Sequence, residues 1–298
     1  MQGNEKFLGR VASYAHKHAL WREGERILAA VSGGPDSLAL LLALKLLAVK
    51  EKINIGCCCV NHHLRAAAGK EAEFVESVCR EWNIPFILKE VDVQSAVRNG
   101  GSIETAARDL RYKALCEAAR GGGYAKIAVA HHGDDQAETV LYHLLRGSGV
   151  TGLSGMKPIN GDIIRPFLCV SKNEIKDFLK DFSYVPCHDE SNDVEDAVRN
   201  RIRLSLVPEL ISYNPRVTES LRRTADIFRE EDLFMEEKAD VFISSCVEHD
   251  NDKCVFFIAY FLALHIALQR RVIRKICCMV AGLSLIHISE PTRPEPIS

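Results

Sequence analysis

Short apolar runs alternate with longer helical patterns over the first half of the chain. Four of these runs have the length and composition of buried strands, at residues 27–31, 53–60, 86–91 and 125–130. Helical patterns occupy residues 4–19, 37–50, 66–82, 104–120 and 134–146. Parallel strands need a crossover between them and are buried on both faces. The alternation therefore predicts an α/β fold with a parallel sheet covered by helices.

The pattern changes near residue 213, beyond which only helical patterns occur, at residues 217–242 and 255–279. We expect two domains, a sheet domain at 1–212 and a smaller all-helical domain at 213–282. The final stretch, 283–298, lacks helical periodicity, carries three prolines and is typical of translated sequencing-adapter DNA. We interpret it as a non-native tail, with a native disordered tail as the alternative. The first interpretation predicts an incomplete helical domain with exposed apolar surface near residues 256–268.

Charge and hydropathy limit the partners of the chain. Lys and Arg number 38 against 40 Asp and Glu, so a nucleic acid would have to bind at local basic patches. The longest apolar stretch, residues 255–268, is shorter than the roughly 20 residues of a membrane span. No secretory signal is visible at the start of the sequence. These features predict a cytoplasmic protein without a membrane partner.

The cysteines do not form a recognisable metal or disulfide framework. There are eleven, an odd number, and residues 57–59 are three in a row. No C-x-x-C pair occurs in the chain. We interpret them as small buried hydrophobic residues in a reducing compartment.

A glycine-rich hexapeptide joins the first strand to the following helix. It reads Ser32, Gly33, Gly34, Pro35, Asp36 and Ser37. Adjacent glycines allow a tight turn that directs backbone N–H groups into one concavity, and the helix adds its positive end. This arrangement predicts binding of the phosphates of ATP. The alternative is an ordinary turn in which Asp36 caps the helix.

Charged residues follow other strands of the predicted sheet. Glu104, Arg108 and Arg111 share one helix face, so a carboxylate and two guanidinium groups can point together, or merely form a solvated ion pair. The fourth strand is followed by His131, His132, Asp134, Asp135 and Glu138. Ligands bind beyond the carboxyl ends of parallel strands, so we expect these groups to share one crevice with the hexapeptide.

The acidic residues after the fourth strand have two interpretations. Because carboxylates dominate, the set favours Mg²⁺ carried in with ATP over zinc, with Asp135 as the candidate ligand. Alternatively, Asp134 and Asp135 stabilise the start of the helix that follows. We expect both effects, with Asp134 nearer the helix cap and Asp135 nearer the chemistry.

Six motifs in order resemble the tRNA(Ile)-lysidine synthetase family of the PP-loop ATP pyrophosphatase superfamily. They are SGGPDS at 32–37, VNHHLR at 60–65, ETAARDLRY at 104–112, HHGDDQAET at 131–139, RGSG at 146–149 with GL at 152–153, and DESND at 189–193 followed by RNRIR at 199–203. The resemblance covers residues 5–225 and, more weakly, extends to 275. It implies a PP-loop (adenine nucleotide α-hydrolase-like) domain followed by a helical domain that contacts tRNA.

The resemblance also implies a reaction. ATP adenylates the C2 carbonyl oxygen of the wobble cytidine of tRNA(Ile) and releases pyrophosphate. The ε-amine of free L-lysine then attacks C2, and AMP leaves. The implied cofactors are ATP and Mg²⁺, and the implied partners are this tRNA and lysine; a homodimer is an open alternative to a monomer.

Residue roles follow by matching the motifs. The implied catalytic residues are Asp36, Arg108, Arg111, His132 and Asp135. The implied ATP-binding residues are Ser32, Gly33, Gly34, Pro35, Asp36, Ser37 and His62. The implied residues for tRNA or lysine are Glu104, Glu138, Arg199, Asn200 and Arg203. Arg222 and Arg223 extend the basic stretches, or form a solvated helix face.

Two other functions stay open at this point. A tRNA thiolase of the same superfamily would share the loop, but it typically uses C-x-x-C cysteines, which this chain lacks. A chain without its tRNA-binding parts would act only as a nucleotide-binding module.

Overall fold

The apolar runs of the first half form one sheet in a computed structural model, which describes residues 2–61, 68–93, 103–182, 197–250 and 253–280. The strands of this sheet are β1 (Arg26–Ala30), β2 (Asn54–Asn61), β3 (Phe86–Glu90), β4 (Lys126–Ala128), β5 (Ile159–Asn160) and β6 (Ile163–Ile164). Their spatial order is β3-β2-β1-β4-β6-β5. All neighbours are parallel except β5 and β6, which pair antiparallel.

Helices connect and flank these strands. They are α1 (Gln2–Lys17), α2 (Pro35–Glu51), α3 (Ala68–Glu81), α4 (Ile103–Gly122), α5 (Gly133–Leu145), α6 (Val150–Leu153), α7 (Lys172–Lys180), α8 (Ala197–Arg201) and α9 (Val207–Tyr213). A 3₁₀ turn spans Pro166–Cys169, and a π-helical turn spans Ile202–Leu206.

The central strands are buried on both faces because helices cover each side. In β1, Ile27 and Ala29 join one hydrophobic core, whereas Leu28 joins the other. In β2, Cys57 and Cys58 divide in the same way. This alternation explains why the strands read as continuous apolar runs rather than as alternating patterns. The predicted α/β class and parallel sheet are confirmed.

The chain order creates a crevice between β1 and β4. From β1 the chain moves outward through β2 to β3, then returns to place β4 on the other side of β1. Connections on the two sides therefore diverge at the β1–β4 boundary, which is where parallel α/β sheets bind ligands. The hexapeptide and the acidic segment that begins at His131 follow these two strands.

The chain divides into two compact units, residues 1–138 with 156–219, and residues 139–155 with 220–298. The second unit contains α10 (Val217–Cys246, from residue 220), β7 (Val247–Asp250), β8 (Lys253–Phe256), α11 (Ile258–Leu262) and α12 (Ile266–Val280). Its described core includes Ala239, Phe242, Val272 and Ile276. The boundary at residue 212 stays a prediction, since the second unit also takes in 139–155.

The prediction of one helix over residues 255–279 is wrong. The segment begins in strand β8, which pairs antiparallel with β7, and it continues as two helices. His265 separates these helices because its ring Nδ1 accepts a hydrogen bond from the N–H of Ala267 at 3.2 Å, at the start of α12. Aromatic and β-branched residues at 255–257 also suit a strand.

Apolar side chains are exposed where the sequence predicts them. Phe257, Ile258, Tyr260 and Leu262 each have at least 60% of their surface exposed. The predicted exposure near residues 256–268 is confirmed there. The completeness of the helical domain stays a prediction. Separately, no helix within the described ranges is long and apolar enough to cross a bilayer.

The consecutive cysteines give a testable consequence of this fold. Cys57, Cys58 and Cys59 are at most 4% exposed, and burial raises the pKa of Cys58 to about 11 and of Cys59 to about 12. A thiolate is the reactive form, so we expect iodoacetamide at about pH 8 to leave these three unmodified in the folded protein. Peptide mass mapping measures this, with the exposed Cys277 as the internal positive control. Modification of 57–59 as fast as Cys277 would contradict their burial.

Candidate active site

The hexapeptide forms a tight turn held by its own serines. Gly33 has φ +89°, a conformation that favours glycine. Ser37 Oγ donates to the carbonyl of Gly34 at 2.9 Å and accepts the backbone N–H of Ser32 at 3.2 Å. These bonds fix the loop directly before the first turn of α2, where backbone N–H groups lack helical partners. The loop is therefore shaped to bind an anion.

Asp36 lies in the first turn of α2 but does not cap it. Gly34 occupies the N-cap position, and no side chain makes a capping hydrogen bond there. The alternative in which Asp36 is the helix cap is therefore wrong. One carboxylate oxygen, Oδ2, lies 3.6 Å from Nε2 of His132, and the other, Oδ1, is buried without a hydrogen-bond partner.

His132 joins the loop after β1 to the segment after β4. It is 4% exposed, and its Nδ1 lies 3.6 Å from Asp134 Oδ2 and 3.5 Å from Asp135 Oδ2. Burial favours the neutral ring, but the contact with Asp36 and the charges of Asp135 and Asp134 outweigh burial and raise the pKa of His132. The three carboxylates therefore favour the charged form of the ring, whereas burial and the N–H of Asp135, which lies 3.4 Å from Nδ1, favour the neutral form.

The pKa of Asp36 shifts in the opposite direction. Burial opposes its ionisation, but the contact with His132 and its charge, then the charges of Lys172 and Lys176, lower the pKa below the ordinary value. Asp36 is thus an ionised carboxylate with one unsatisfied oxygen. Such a group can accept a hydrogen bond from an ammonium or amine of a substrate.

The two aspartates at the start of α5 divide their roles differently from the sequence prediction. Asp135 Oδ2 accepts the backbone N–H of His132 at 2.9 Å, which stabilises the helix start. Asp134 Oδ2 instead accepts the backbone N–H of Lys172 at 2.7 Å and links the segment to α7. The expectation that Asp134 is nearer the cap is therefore wrong, and Asp135 serves both the cap and the site.

A fork of hydrogen bonds connects Glu138 to Arg203. Arg203 donates from Nε and Nη2 to the two oxygens of Glu138 at 2.9 and 3.0 Å, and Nη2 lies 3.3 Å from Asp135 Oδ1. Arg203 belongs to the π-helical turn, where the N–H of Val207 bonds to the carbonyl of Ile202, five residues back. Pro208 follows, and its missing N–H favours such a change of helical pattern.

Glu138 is less readily ionised than an ordinary glutamate. Burial raises its pKa, and the charge of Asp135 adds to this effect, while Arg203 only partly offsets both. An additional cation near Glu138 and Asp135 would therefore be stabilised by carboxylates that Arg203 incompletely neutralises.

Arg108 and Arg111 come together as predicted from their spacing on α4. Their guanidinium carbons each lie 5.5 Å from the centre of the Tyr112 ring. Both guanidinium groups affect the neighbouring His131. Burial lowers the pKa of His131, and the positive charges of Arg165, Arg108 and Arg111 lower it further. This cationic group is distinct from the acidic group around His132.

The predicted roles of several other site residues are not tested by the structure. His62, the 189–193 motif and the side chain of Glu104 lie outside the described residues. Arg199 and Asn200 lie in α8, just before Arg203, and are partly buried. Their predicted roles stay predictions.

The candidate Mg²⁺ ligand is already engaged. Asp135 Oδ2 accepts the His132 N–H, and Oδ1 contacts Arg203. Within the described part of the chain, no three His, Cys, Asp or Glu side chains are grouped so that they could hold a metal ion. The described residues therefore do not fit a protein-held Mg²⁺ site at Asp135.

Three basic residues of the site were missed in the sequence. Lys172 and Lys176 act on Asp36 from α7, and Arg165 acts on His131 from the end of β6. Strand β6 has only two residues, too short to be recognised by periodicity, so nothing marked Arg165 as a residue at a strand end.

The chain matches the model of one protein family and is similar in sequence to proteins that are longer than it is. The family model of the PP-loop domain matches residues 5–210. The chain is 36% identical over 276 residues to tRNA(Ile)-lysidine synthase of Caldanaerobacter subterraneus subsp. tengcongensis, covering 92% of the chain and 59% of that protein. It is 35% identical over 292 residues to tRNA(Ile)-lysidine synthase of Geobacillus kaustophilus, covering 94% of the chain and 63% of that protein. The chain thus spans about three fifths of the length of these curated relatives.

A solved structure shares the fold. The U34-tRNA thiolase NcsA from Methanococcus maripaludis, with its 4Fe-4S cluster, aligns with a TM-score of 0.60 and 16% identity, covering 76% of this chain and 80% of that chain. At this identity the likeness shows the fold alone.

The conformation of Gly33 predicts the effect of Gly33→Ala. An added Cβ meets only ordinary contacts, but φ +89° strains any L-residue, so we expect a loss of about 1–2 kcal/mol in unfolding free energy. The matched control is Gly24→Ala, with φ +84° and open space, before the amino end of β1. Urea unfolding should show similar losses, while isothermal titration should show weaker ATP binding for Gly33→Ala alone. Unchanged ATP affinity in the folded Gly33→Ala variant would refute the loop assignment.

The Asp36–His132 ion pair predicts a pH-dependent stability. The raised pKa of His132 stabilises the fold fully below about pH 6.5, and this contribution disappears as pH rises through the folded pKa. The lowered pKa of Asp36 stabilises the fold above about pH 3.9, and this is lost as pH falls through the folded pKa. A double-mutant cycle with Asp36→Asn and His132→Gln should give about 1 kcal/mol or more of coupling near pH 5.5 and less near pH 8.5. Equal coupling at both pH values would mean that the pair is not ionic.

Proposed function

This chain belongs to the PP-loop domain family, and we propose that it catalyses the ATP-dependent ligation of lysine to C2 of the wobble cytidine of tRNA(Ile). The product is lysidine, and AMP and pyrophosphate are released. The observation that carries the proposal is the similarity to two tRNA(Ile)-lysidine synthases over more than nine tenths of the chain. The chain spans about three fifths of those proteins, so the proposal concerns the activity of the whole protein.

The loop after β1 suits the first step. The turn at Gly33 and the first N–H groups of α2 form a cradle for the phosphates of ATP. The C2 carbonyl oxygen of cytidine attacks the α-phosphorus, forming a new O–P bond. The bond to the β-phosphate oxygen breaks, and pyrophosphate leaves with that electron pair. Arg108 and Arg111 supply charge that stabilises the transferring phosphoryl group.

The acidic group suits the second step. Free lysine enters with a protonated ε-amine, which must bind and lose a proton before it can attack C2. Asp36 offers a buried oxygen without a partner, Asp135 lies at the opposite ring nitrogen of His132, and Arg203 links Asp135 to Glu138. We assign the binding of the ε-ammonium group of lysine to Asp36, Asp135 and Glu138. The amine forms a bond to C2, its proton passes to a carboxylate, and AMP leaves with the electrons of the C2–O bond.

Arg203 has a positioning role in this proposal. Its fork holds Glu138, and its contact with Asp135 ties Glu138 to the carboxylate that lies beside His132. Arg203 could also pair with the carboxylate of lysine. The inward contacts of Arg203 favour this role over binding a phosphate of the anticodon stem. Mg²⁺ would arrive with ATP, and no step is assigned to a protein-held metal.

The direct test is incorporation of radiolabelled lysine into tRNA(Ile) that bears a wobble cytidine. We expect label in the tRNA only when ATP is present, with AMP and pyrophosphate as products. Nuclease digestion should place the label at the wobble nucleoside. Lysine at the 3′ end would indicate an aminoacylating enzyme, sulfur in place of lysine a thiolase, and ATP binding without turnover a nucleotide-binding module. Each of these results would refute the proposal.

The same assay tests the lysine site. Glu138→Gln removes a charge facing the ammonium and should raise the KM for lysine about tenfold or more, with a smaller effect on the KM for ATP. The matched control is Glu76→Gln, because Glu76 also pairs with an arginine, Arg80, but on the surface of α3. Equal KM values for lysine in the two variants would remove Glu138 from the site.

A further inference from the structure

A buried arginine with no carboxylate partner among the described residues lies at the carboxyl end of β6. Arg165 is 6% exposed. Its Nη1 donates to the carbonyl of Lys157 at 2.8 Å, and its Nε is buried without a hydrogen-bond partner. The other buried arginine of the described residues, Arg229, pairs with Asp226 at 2.7 Å. Arg165 is thus the exception, since a buried charge ordinarily has an opposite charge beside it.

The surroundings of Arg165 add positive charge rather than offset it. Burial lowers the pKa of Arg165; the Tyr112 phenol opposes this shift, and the charge of Arg108 adds to it. Arg108 and Arg111 both lie against the Tyr112 ring. No ion pair joins any of the three arginines to a described carboxylate. We call Arg108, Arg111 and Arg165 the arginine cluster.

Two polar atoms next to the arginine cluster also lack partners. Nδ1 of His131 and the hydroxyl of Tyr112 are buried and make no well-formed hydrogen bond. The low pKa of His131, caused by burial and by the three arginines, keeps its ring neutral. A neutral imidazole and a phenol can each donate one hydrogen bond to an anion. The cluster therefore contains unused donors as well as unbalanced charge.

The sheet order fixes the distance of this cluster from the hexapeptide. β6 pairs with β4, and β4 pairs with β1, so Arg165 lies two strands from the hexapeptide along the carboxyl edge. Two strand spacings are about 10 Å. This separation is larger than one phosphate group, so an anion at Arg165 is a different group from the one in the turn at Gly33.

We propose that the arginine cluster, with Arg165 as its buried member and Arg108 and Arg111 exposed, binds a second phosphate group in the active-site crevice. Guanidinium groups match the geometry of phosphate oxygens, and an anion would supply the charge that the described residues do not. The phosphate could belong to the nucleotide or to the RNA backbone beside the reacting base. The identity of the molecule that carries this phosphate, nucleotide or RNA, rests on the proposed function. Binding of a phosphate at Arg165 does not rest on it.

The test compares Arg165→Gln with a matched control. Arg26→Gln is suitable because Arg26 also lies over an aromatic ring, that of Tyr124 at 4.7 Å, but at the amino end of β1. Circular dichroism and urea unfolding establish that each variant is folded. Arg111→Gln, at an exposed position of the cluster, supplies a second variant if Arg165→Gln does not fold.

Two probes distinguish the sources of the phosphate. Isothermal titration with inorganic pyrophosphate reports on the nucleotide, and filter binding of an anticodon stem-loop RNA reports on the backbone. We expect Arg165→Gln to lower the affinity for pyrophosphate or for the stem-loop RNA by about tenfold or more. We expect Arg26→Gln to leave both affinities unchanged. If Arg165→Gln weakens RNA binding, the slope of log affinity against log salt concentration should also become shallower by about 0.7–0.9. This is the change expected for the loss of one phosphate contact.

Unchanged affinity for both probes in a folded Arg165→Gln variant would overturn the proposal, as would unchanged affinity in Arg111→Gln where Arg165→Gln does not fold. Neither probe requires lysine or turnover. If lysine incorporation fails while Arg165→Gln still loses a probe, the phosphate site stands and the proposed reaction alone is refuted.

Discussion

The contact between Asp36 and His132 is the interaction on which the acidic part of the site depends. It joins the loop after β1 to the segment after β4, which are neighbours across the point where the chain reverses its direction through the sheet. Three carboxylates lie within 3.6 Å of this one imidazole. Like charges this close repel one another, and the ring of His132 lies between them. The contact with His132 lowers the pKa of Asp36 despite its burial, and the carboxylates in turn raise the pKa of His132.

The sequence predicts the frame of this site better than its contacts. Buried strands and the glycine turn leave local patterns, so the sheet, the loop and the position of His132 could be inferred from short stretches of sequence. The partners of each carboxylate depend on distant segments. Asp134 bonds to Lys172, and Glu138 bonds to Arg203, which lies 65 residues away in the chain. No spacing rule connects such residues, and the bond from Asp134 to Lys172 is the contact that the sequence does not indicate.

The second unit shows the same limit for charge patterns. Arg271, Arg274 and Lys275 lie close together in the sequence and form a local basic cluster there. In the structure all three contact Glu236, at 2.6, 3.2 and 2.7 Å. Burial opposes ionisation of Glu236, but Lys275 and Arg271 outweigh it and lower its pKa. These cations therefore stabilise the packing of α12 on α10, and much of their charge is neutralised before any RNA approaches.

The sheet domain instead keeps its opposite charges apart along one edge. Beside β1 and β4, His132 and Arg203 hold a group of carboxylates, whereas beside β6 the arginine cluster has no described carboxylate within ion-pair distance. If the two groups were adjacent, they would pair with each other and bind neither substrate well. In the proposed reaction an amine that binds as an ammonium is deprotonated and then attacks a substrate activated by phosphate, so both kinds of charge are needed in one crevice. Two consecutive residues after β4 separate the two groups, since His132 lies among the carboxylates and His131 is under the influence of the arginines.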